Sequence, residues 1–297
     1  MFYQRPITNN RLMFSLTGLS LNEFARLQER FEPIYHEFRA KEHDRTKKAY
    51  GKGRQGNLTL EQKLLMVLVH FKCYPTYDLL GWLFGMERTK TFRWVKMLIP
   101  ILETTLGRSM VLPQRQINSR EELLSLFPDL DMFIDGTERP IHKYQNKKSN
   151  KRHYSGKKKH TTKKNITISN KAKRIQYLTP TKYGRRHDQH YADKSSIFDD
   201  LPAEIQTWVD TGFLGSKKKH RNTNIPKKKS KKHPLTQTDK VNNFLISSIR
   251  SKAEHAIGGI KRMQSCVQTI RSFIDEKADQ FILIASGIWN FHLDFKS

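Results

Sequence analysis

Cysteine is scarce in this chain of 297 residues. Cys73 and Cys266 are its two cysteines, and neither belongs to a CxxC pair or to a His/Cys cluster at zinc-ligand spacing. The sequence therefore supports neither a disulfide framework nor a structural zinc site. Such cysteine usage fits a reducing cytoplasm.

Long apolar runs are also missing. No stretch approaches the length of a membrane-spanning helix, and residues 1–10 lack the hydrophobic centre of a signal peptide. We therefore expect a soluble, unexported protein without a membrane partner.

Acidic residues are few relative to basic ones: 28 Asp and Glu stand against 55 Lys and Arg, and the formal net charge is +27. Such an excess predicts a polyanionic partner. Residues 143–232 hold 26 Lys and Arg against 6 Asp and Glu, so they carry +20 of this charge. Solvated loops are the alternative explanation, but several lysine runs flank apolar segments, which favours one shared basic surface.

Helical periodicity dominates the first part of the chain. An apolar stripe over residues 60–71 predicts one helix, and residues 75–103 predict a helix, a tight turn at Gly85 and a second helix. This pattern is typical of a helix-turn-helix, whose second helix offers polar side chains to a DNA groove. Arg88, Lys90 and Arg93 are the candidate contacts. Two core helices with solvated lysines would give the same pattern.

Strand patterns follow in the second part. Residues 132–135, 164–170, 174–180 and 205–210 predict strands, with turns at 136–139 and 170–173. Helices are expected between 183 and 202, at about 240–262 and at about 276–291. The apolar side of the 240–262 helix is predicted to contain Val241, Phe244, Leu245, Ile249, Ala253, Ala256 and Ile260.

These patterns divide the chain. We expect an N-terminal helical arm at 1–56, a helix-turn-helix-like domain at 57–112, a linker with one short helix at 113–130 and an α/β domain at 131–297.

Three carboxylates are notable for their positions. Asp135 and Asp210 each end a predicted strand, and Glu254 lies inside a predicted helix. Carboxylate oxygens suit hard divalent cations, and two ions roughly 4 Å apart can catalyse phosphodiester cleavage. Structural roles compete with this interpretation, because each Asp could open a turn and Glu254 could pair with Arg250.

Glu254 belongs to the segment RSKAEHAIGGIK, residues 250–261. Arg250 and Lys261 lie near its face of the helix. An Arg placed four residues before a Glu contributes at most a few tenths of a kcal/mol, and Gly258 and Gly259 together cost on the order of 2 kcal/mol relative to alanine. Stability does not require this arrangement, so we expect a bend or a close approach of DNA there.

Five segments resemble the DDE transposases of bacterial insertion sequences, in the group of the insertion-sequence-four and insertion-sequence-five types, to which the eukaryotic Harbinger elements are related. The segments are FIDGTERPI, HYSGKKKHTTKKN, GRRHDQHYADKS, WVDTGFLG and RSKAEHAIGGIK, and they cover most of residues 131–262. The family's third-acid signature is Tyr, two residues, Arg, three residues, Glu, six residues, Lys. Arg250, Glu254 and Lys261 fit it, while Ser247 stands in place of the tyrosine.

The resemblance implies a ribonuclease-H-like mixed α/β sheet with flanking helices, preceded by a small all-α helix-turn-helix domain. It also implies two divalent ions, Mg²⁺ or Mn²⁺, held by Asp135, Asp210 and Glu254. Asp188 is also a marked acid of this group. We prefer Asp210 as the second ligand because it ends a strand, whereas Asp188 is expected to start a helix and to cap it.

The expected function is that of a transposase, which binds the ends of an insertion sequence and catalyses metal-dependent DNA cleavage and strand transfer. Its partner is double-stranded DNA, on which it forms a homodimer or higher multimer, in the nucleoid-associated cytoplasm of a bacterium. The residues assigned to DNA phosphates are Arg250, Lys261, Lys157, Lys158 and Lys159. The rivals are a non-catalytic DNA-binding protein derived from a transposase and a basic RNA-associated structural protein.

Overall fold

A computed structural model describes residues 6–46, 58–230, 234–272 and 274–296. The predicted boundary between residues 56 and 57 lies outside these ranges. The chain divides into two compact units. The first contains Met1–Leu112, Arg262–Cys266 and Gly287–Ser297, and the second contains Pro113–Lys261 and Val267–Ser286. The end of the chain, which the sequence assigned to the α/β domain, therefore makes its contacts within the first unit.

The first unit is helical where it is described. Its helices are α1 (Asn10–Thr17), α2 (Leu21–Thr46), α3 (Leu60–Cys73), α4 (Tyr77–Phe84) and α5 (Arg88–Arg108). Thr59 begins α3 with a capping box, and Thr76 caps α4. Gly85 ends α4 in the left-handed conformation, with φ of 65°. The three helices predicted between residues 60 and 103 are confirmed.

The second unit contains a mixed sheet. Its strands are β1 (Asp131–Pro140), β2 (Tyr154–Ser155), β3 (His160–Ser169), β4 (Ile175–Leu178), β5 (Lys182–Tyr183), β6 (Gln206–Val209) and β7 (Thr223–Asn224). The strand order is β2-β3-β1-β6-β7, and β4 and β5 also pair with β3. Strand β1 is antiparallel to β3 and parallel to β6. This confirms a mixed α/β sheet that follows an all-α domain.

Helices flank this sheet. They are α6 (Arg120–Leu126), α7 (Lys147–His153), α8 (Asp188–Lys194), α9 (Gln237–Ile260) and the first part of α10 (Asp275–Leu293). Successive residues of β1 point to opposite faces. Met132 and Ile134 join a core cluster with Tyr191 of α8, whereas Phe133 packs with Trp208 and with Ala253 of α9. Strand β1 therefore anchors both layers of helices.

The predicted turn at residues 136–139 is wrong, and so is the predicted end of the first strand at Asp135, because β1 continues to Pro140. Its polar residues pair with β3, in the register Gly136 with Ile166 and Arg139 with Lys163. The Arg139 side chain is wholly buried, and its guanidinium donates to the Asn165 amide oxygen over 2.7 Å. A neighbouring strand thus satisfies polar groups that suggested a turn. The turn predicted at 170–173 is confirmed by the Lys173 N to Asn170 O hydrogen bond of 2.9 Å.

The predicted apolar side of α9 is only half buried. Ala253, Ala256 and Ile260 are buried, as expected. Val241, Phe244 and Leu245, in the first half of the helix, have exposed fractions of 51%, 72% and 52%. The packing of α9 on Phe133 and Trp208 begins only at Ile246.

Candidate active site

Asp135 and Asp210 are neighbours because β1 and β6 are parallel. The last paired residues of these strands are Ile134 and Val209, and each acid is the next residue along its chain. An oxygen of Asp135 accepts from the Gly136 N–H over 2.8 Å, and one of Asp210 accepts from the Thr211 N–H over 2.6 Å. The fold thus brings together two acids that are 75 residues apart in the sequence.

Asp188 lies beside both of these acids. It is the first residue of α8, whose N-cap is His187, so the prediction that Asp188 caps the helix is wrong. Its carboxylate lies above two glycines instead. A Cβ at Gly136 would be 2.7 Å from Asp188 Oδ1, and one at Gly212 would be 3.0 Å from Oδ2. The absence of side chains there lets a third carboxylate approach Asp135 and Asp210.

The electrostatics of Asp135 reflect this crowding. Burial raises its pKa to about 6, and the carboxylates of Asp210 and Asp188 act in the same direction. The Arg250 guanidinium and the Gly136 N–H oppose the rise. Several carboxylates thus converge at one partly buried point.

Helix α9 contributes Arg250 and Glu254. Arg250 Nη2 lies 3.9 Å from Asp135 Oδ2 and 3.7 Å from Glu254 Oε1. These two oxygens are therefore separated by no more than the sum of those distances, 7.6 Å. The sequence assigned Arg250 to a DNA phosphate, yet its side chain is 10% exposed and contacts carboxylates, whereas that of Glu254 is 62% exposed.

The donor set fits a hard divalent cation, because Asp135, Asp188 and Asp210 offer oxygen ligands and their mutual repulsion would be relieved by positive charge. Arg250 supplies part of that charge in this conformation. Within the described ranges, no group of three or more His, Cys, Asp or Glu side chains is arranged at metal-ligand distances.

Sequence reasoning missed Lys164 and Glu138. Lys164 Nζ lies 3.0 Å from Asp188 Oδ1 and 3.2 Å from Glu138 Oε1, and its side chain is almost fully buried. Burial raises the pKa of Glu138, but hydrogen bonds from Ser155 and Thr162 and the charge of Lys164 lower it overall. Lys164 thus holds Asp188 in place. A lysine within the strand-like segment TTKKNITIS was the available signal.

The other candidate DNA contacts are on the surface. Lys157, Lys158 and Lys159 are exposed in the turn between β2 and β3, and Lys261 is exposed directly after α9. In the first unit, Arg88, Lys90 and Arg93 are exposed at the start of α5. Arg88 Nε is 3.9 Å from Asp78 Oδ2, an exposed pair that contributes little.

Two family models match this chain. Residues 134–290 match the model described as DDE superfamily endonuclease. The chain belongs to this family. Residues 56–108 match the helix-turn-helix of DDE superfamily endonuclease, so α4 and α5 lie within that domain. The resemblance noted in the sequence and the expected ribonuclease-H-like fold class are thereby confirmed, as is the helix-turn-helix over the alternative of two core helices.

A curated relative is similar along most of this DDE endonuclease. The probable transposase for insertion sequence element IS702, from Microchaete diplosiphon, is 30% identical over 254 residues, which cover 84% of this chain and 87% of the relative. No solved structure is a significant match. Among the described helices, none is long and apolar enough to cross a membrane.

Proposed function

We propose that this DDE endonuclease is a transposase that binds the ends of an insertion sequence and catalyses metal-dependent DNA cleavage and strand transfer. The observation that carries the proposal is the convergence of Asp135, Asp188 and Asp210 where the parallel pairing of β1 with β6 stops. The probable transposase that shares 30% identity over most of its length supports the same function.

Asp135, Asp210 and Glu254 are proposed to hold two divalent cations, Mg²⁺ or Mn²⁺. When bound, such ions activate the attacking oxygen and stabilise the leaving oxygen of a phosphodiester. Asp210 is preferred over Asp188 as the second ligand, because Lys164 already lies against Asp188. Arg250 bridges Asp135 and Glu254 and compensates their charge.

DNA binding is assigned to both units. Arg88, Lys90 and Arg93 of the helix-turn-helix would contact the element's ends, while Lys261 and the lysines 157–159 would contact phosphates near the cleaved bond. As functional divisions, we retain the arm at 1–56, the helix-turn-helix domain at 57–112, the linker at 113–130 and the catalytic domain at 131–297, although residues 262–266 and 287–297 belong to the first compact unit. A homodimer or higher multimer would hold two ends together.

The reaction is proposed to proceed in two in-line displacements. Water first cuts the DNA at the element's ends, and the freed 3′-hydroxyl then attacks target DNA, so no covalent intermediate with the protein forms. The carboxylates are proposed to lie at the phosphate that reacts. The basic residues around them offset the repulsion between carboxylate and phosphate.

Single substitutions test the site. Asp135→Asn, Asp210→Asn and Glu254→Gln should each abolish Mg²⁺-dependent cleavage of labelled duplex carrying the element's ends and leave binding largely intact. Glu276→Gln, an exposed acid of the second unit, is the matched control and should cleave normally. Asp188→Asn tests the other candidate for the second metal ligand. Loss of cleavage in this variant would mean that Asp188 is also essential. Retained cleavage in any of the first three variants removes that residue from the site.

A non-catalytic DNA-binding protein derived from a transposase is the alternative. Such a protein yields no new 3′-ends at any Mg²⁺ concentration, although it binds duplex DNA. A basic RNA-associated protein would prefer RNA in the same binding assay.

A further inference from the structure

Two arginines converge on one tyrosine next to the candidate active site. Arg152 of α7 and Arg186, between β5 and α8, each donate an Nη2 hydrogen bond of 3.0 Å to the Tyr183 hydroxyl oxygen. Their guanidinium carbons lie 4.2 and 4.9 Å from the centroid of the Tyr183 ring. We name Arg152, Tyr183 and Arg186 the arginine pair site.

The arginine pair site holds two like charges together on one neutral partner. Within the ranges that the structure describes, neither Arg152 nor Arg186 has an ion pair with Asp or Glu. Their shared partner is a neutral phenol, whose pKa is lowered chiefly by the Arg152 hydrogen bond. Two cations on one neutral acceptor create positive potential that an anion would compensate.

The surroundings extend this potential. A cleft of about 490 Å³ is lined by Lys143, Asn150, Lys151, Tyr154, Thr161 and Arg185. Two of these residues, Lys151 and Arg185, adjoin the arginine pair in the sequence. Among the residues that the structure describes, no acidic one lines the cleft. Guanidinium forks match phosphate oxygens in geometry. The positive charge of Lys143, Lys151 and Arg185 suits the phosphates of a DNA backbone.

Lys164 links the arginine pair site to the acid cluster, by which we mean Asp135, Asp188 and Asp210. Its Nζ donates to the Arg186 backbone oxygen over 2.8 Å and lies 3.0 Å from Asp188 Oδ1. Arg186 is also only two residues before Asp188 in the sequence. A phosphate at the arginine pair would therefore occupy a fixed position relative to the acids.

We propose that Arg152, Tyr183 and Arg186 bind one backbone phosphate of the DNA that enters the acid cluster, a few nucleotides from the bond that is cut. Tyr183 aligns the two guanidiniums, and the arginines make the contact. This inference rests on the proposed function, because it assumes a DNA substrate.

The test measures duplex binding by the full chain in EDTA, as a function of salt concentration. The double substitution Arg152→Gln with Arg186→Gln should weaken binding at least about tenfold and lower the slope of log Kd against log salt by about 1 to 2, as counterion release predicts. Tyr183→Phe preserves the net charge and should still weaken binding several-fold. The control, Lys171→Gln with Lys218→Gln, removes two exposed charges from the same unit and should change the slope by less than half as much.

Equal effects of the arginine and lysine double substitutions, or a Tyr183→Phe variant that binds like the wild type, would overturn the proposal in favour of a diffuse basic surface. Should the glutamine variant fail to fold, Arg152→Lys with Arg186→Lys keeps the charge and must still lose affinity. Cleavage does not enter this assay. A wild type that binds duplex without ever cutting it contradicts the proposed function alone, whereas a wild type that binds no duplex contradicts both.

Discussion

A glycine closely follows both Asp135 and Asp210 in the sequence, and the structure gives a physical reason. Gly136 and Gly212 provide the space in which the Asp188 carboxylate reaches Asp135 and Asp210. A methyl group at Gly136 would displace the Asp188 oxygen that Lys164 holds. The sequence predicted a turn at Gly136, but the structure places this glycine within β1. Gly212 does lie in a 3-10 turn, Thr211–Phe213, and both glycines lie beside the Asp188 carboxylate.

Gly258 is the opposite case, since a Cβ there would meet open space. Gly258→Ala should therefore raise the free energy of unfolding by about 0.5 to 1 kcal/mol, because alanine favours a helix interior. Urea denaturation measures this change, and an unchanged or lower value would contradict it. If DNA approaches this position closely, as the sequence suggested, the same variant binds duplex more weakly despite its greater stability.

At the scale of elements, the sequence predicted the type of most helices and strands but not where their partners lie. The residues from Gly136 to Arg139 resemble a turn because their polarity is visible and the pairing of β1 with β3 is not. The first half of α9 shows the reverse. Val241, Phe244 and Leu245 form an apolar stripe whether or not a neighbour covers it, so periodicity could not reveal their exposure.

The candidate site was predictable to a similar extent. Asp135 and Asp210 each follow an apolar strand-like run in the sequence, so both could be proposed, although β1 continues past Asp135. Lys164 could not, because its role arises from the strand pairing that sets it opposite Glu138. The buried position of Arg250 likewise depends on how α9 packs.

Two phenylalanines test the packing of α9. Phe133 is buried between β6 and α9, so Phe133→Ala should lower the free energy of unfolding by about 3 to 5 kcal/mol. Phe244→Ala, in the exposed half of α9, should change it by no more than about 0.5 kcal/mol. Chemical denaturation of both variants compares them directly. A large loss in the Phe244 variant would mean that this half of the helix is covered.

A buried pair in the first unit gives a pH prediction. Glu23 Oε1 lies 2.8 Å from His292 Nδ1. Burial raises the pKa of Glu23, but hydrogen bonds from His292 and Ser20 lower it overall, below its usual 4.5. The ionised form therefore stabilises the fold above about pH 4.5, and that contribution is lost as pH falls through the lower folded value.

Thermal unfolding between pH 3 and pH 7 checks this sign. Glu23→Gln should be less stable than the wild type at neutral pH, and the difference should shrink below about pH 4.5. A difference that stays constant, or grows on acidification, would contradict the assignment.

At the scale of the whole molecule, the net charge of +27 favours binding to DNA, and we expect two kinds of DNA contact. Lys157, Lys158 and Lys159 should contribute affinity without sequence preference, whereas Arg88, Lys90 and Arg93 should contribute recognition of the element's ends. Replacing the three lysines by glutamine should weaken binding to end-containing and unrelated duplexes equally. The matched triple substitution in α5 should weaken binding to the ends more, and equal losses would remove the helix-turn-helix from recognition.

The central claim is that acids distant in the sequence bind cations at one shared point. A titration of Mn²⁺ into the full chain tests this claim most directly. The electron paramagnetic resonance signal of free Mn²⁺ measures how much of the ion is bound. The wild type and the Glu276→Gln control should bind Mn²⁺ with the same affinity, and Asp135→Asn and Asp210→Asn should each weaken it by about tenfold or more. Equal Mn²⁺ affinity in all four proteins would contradict the account.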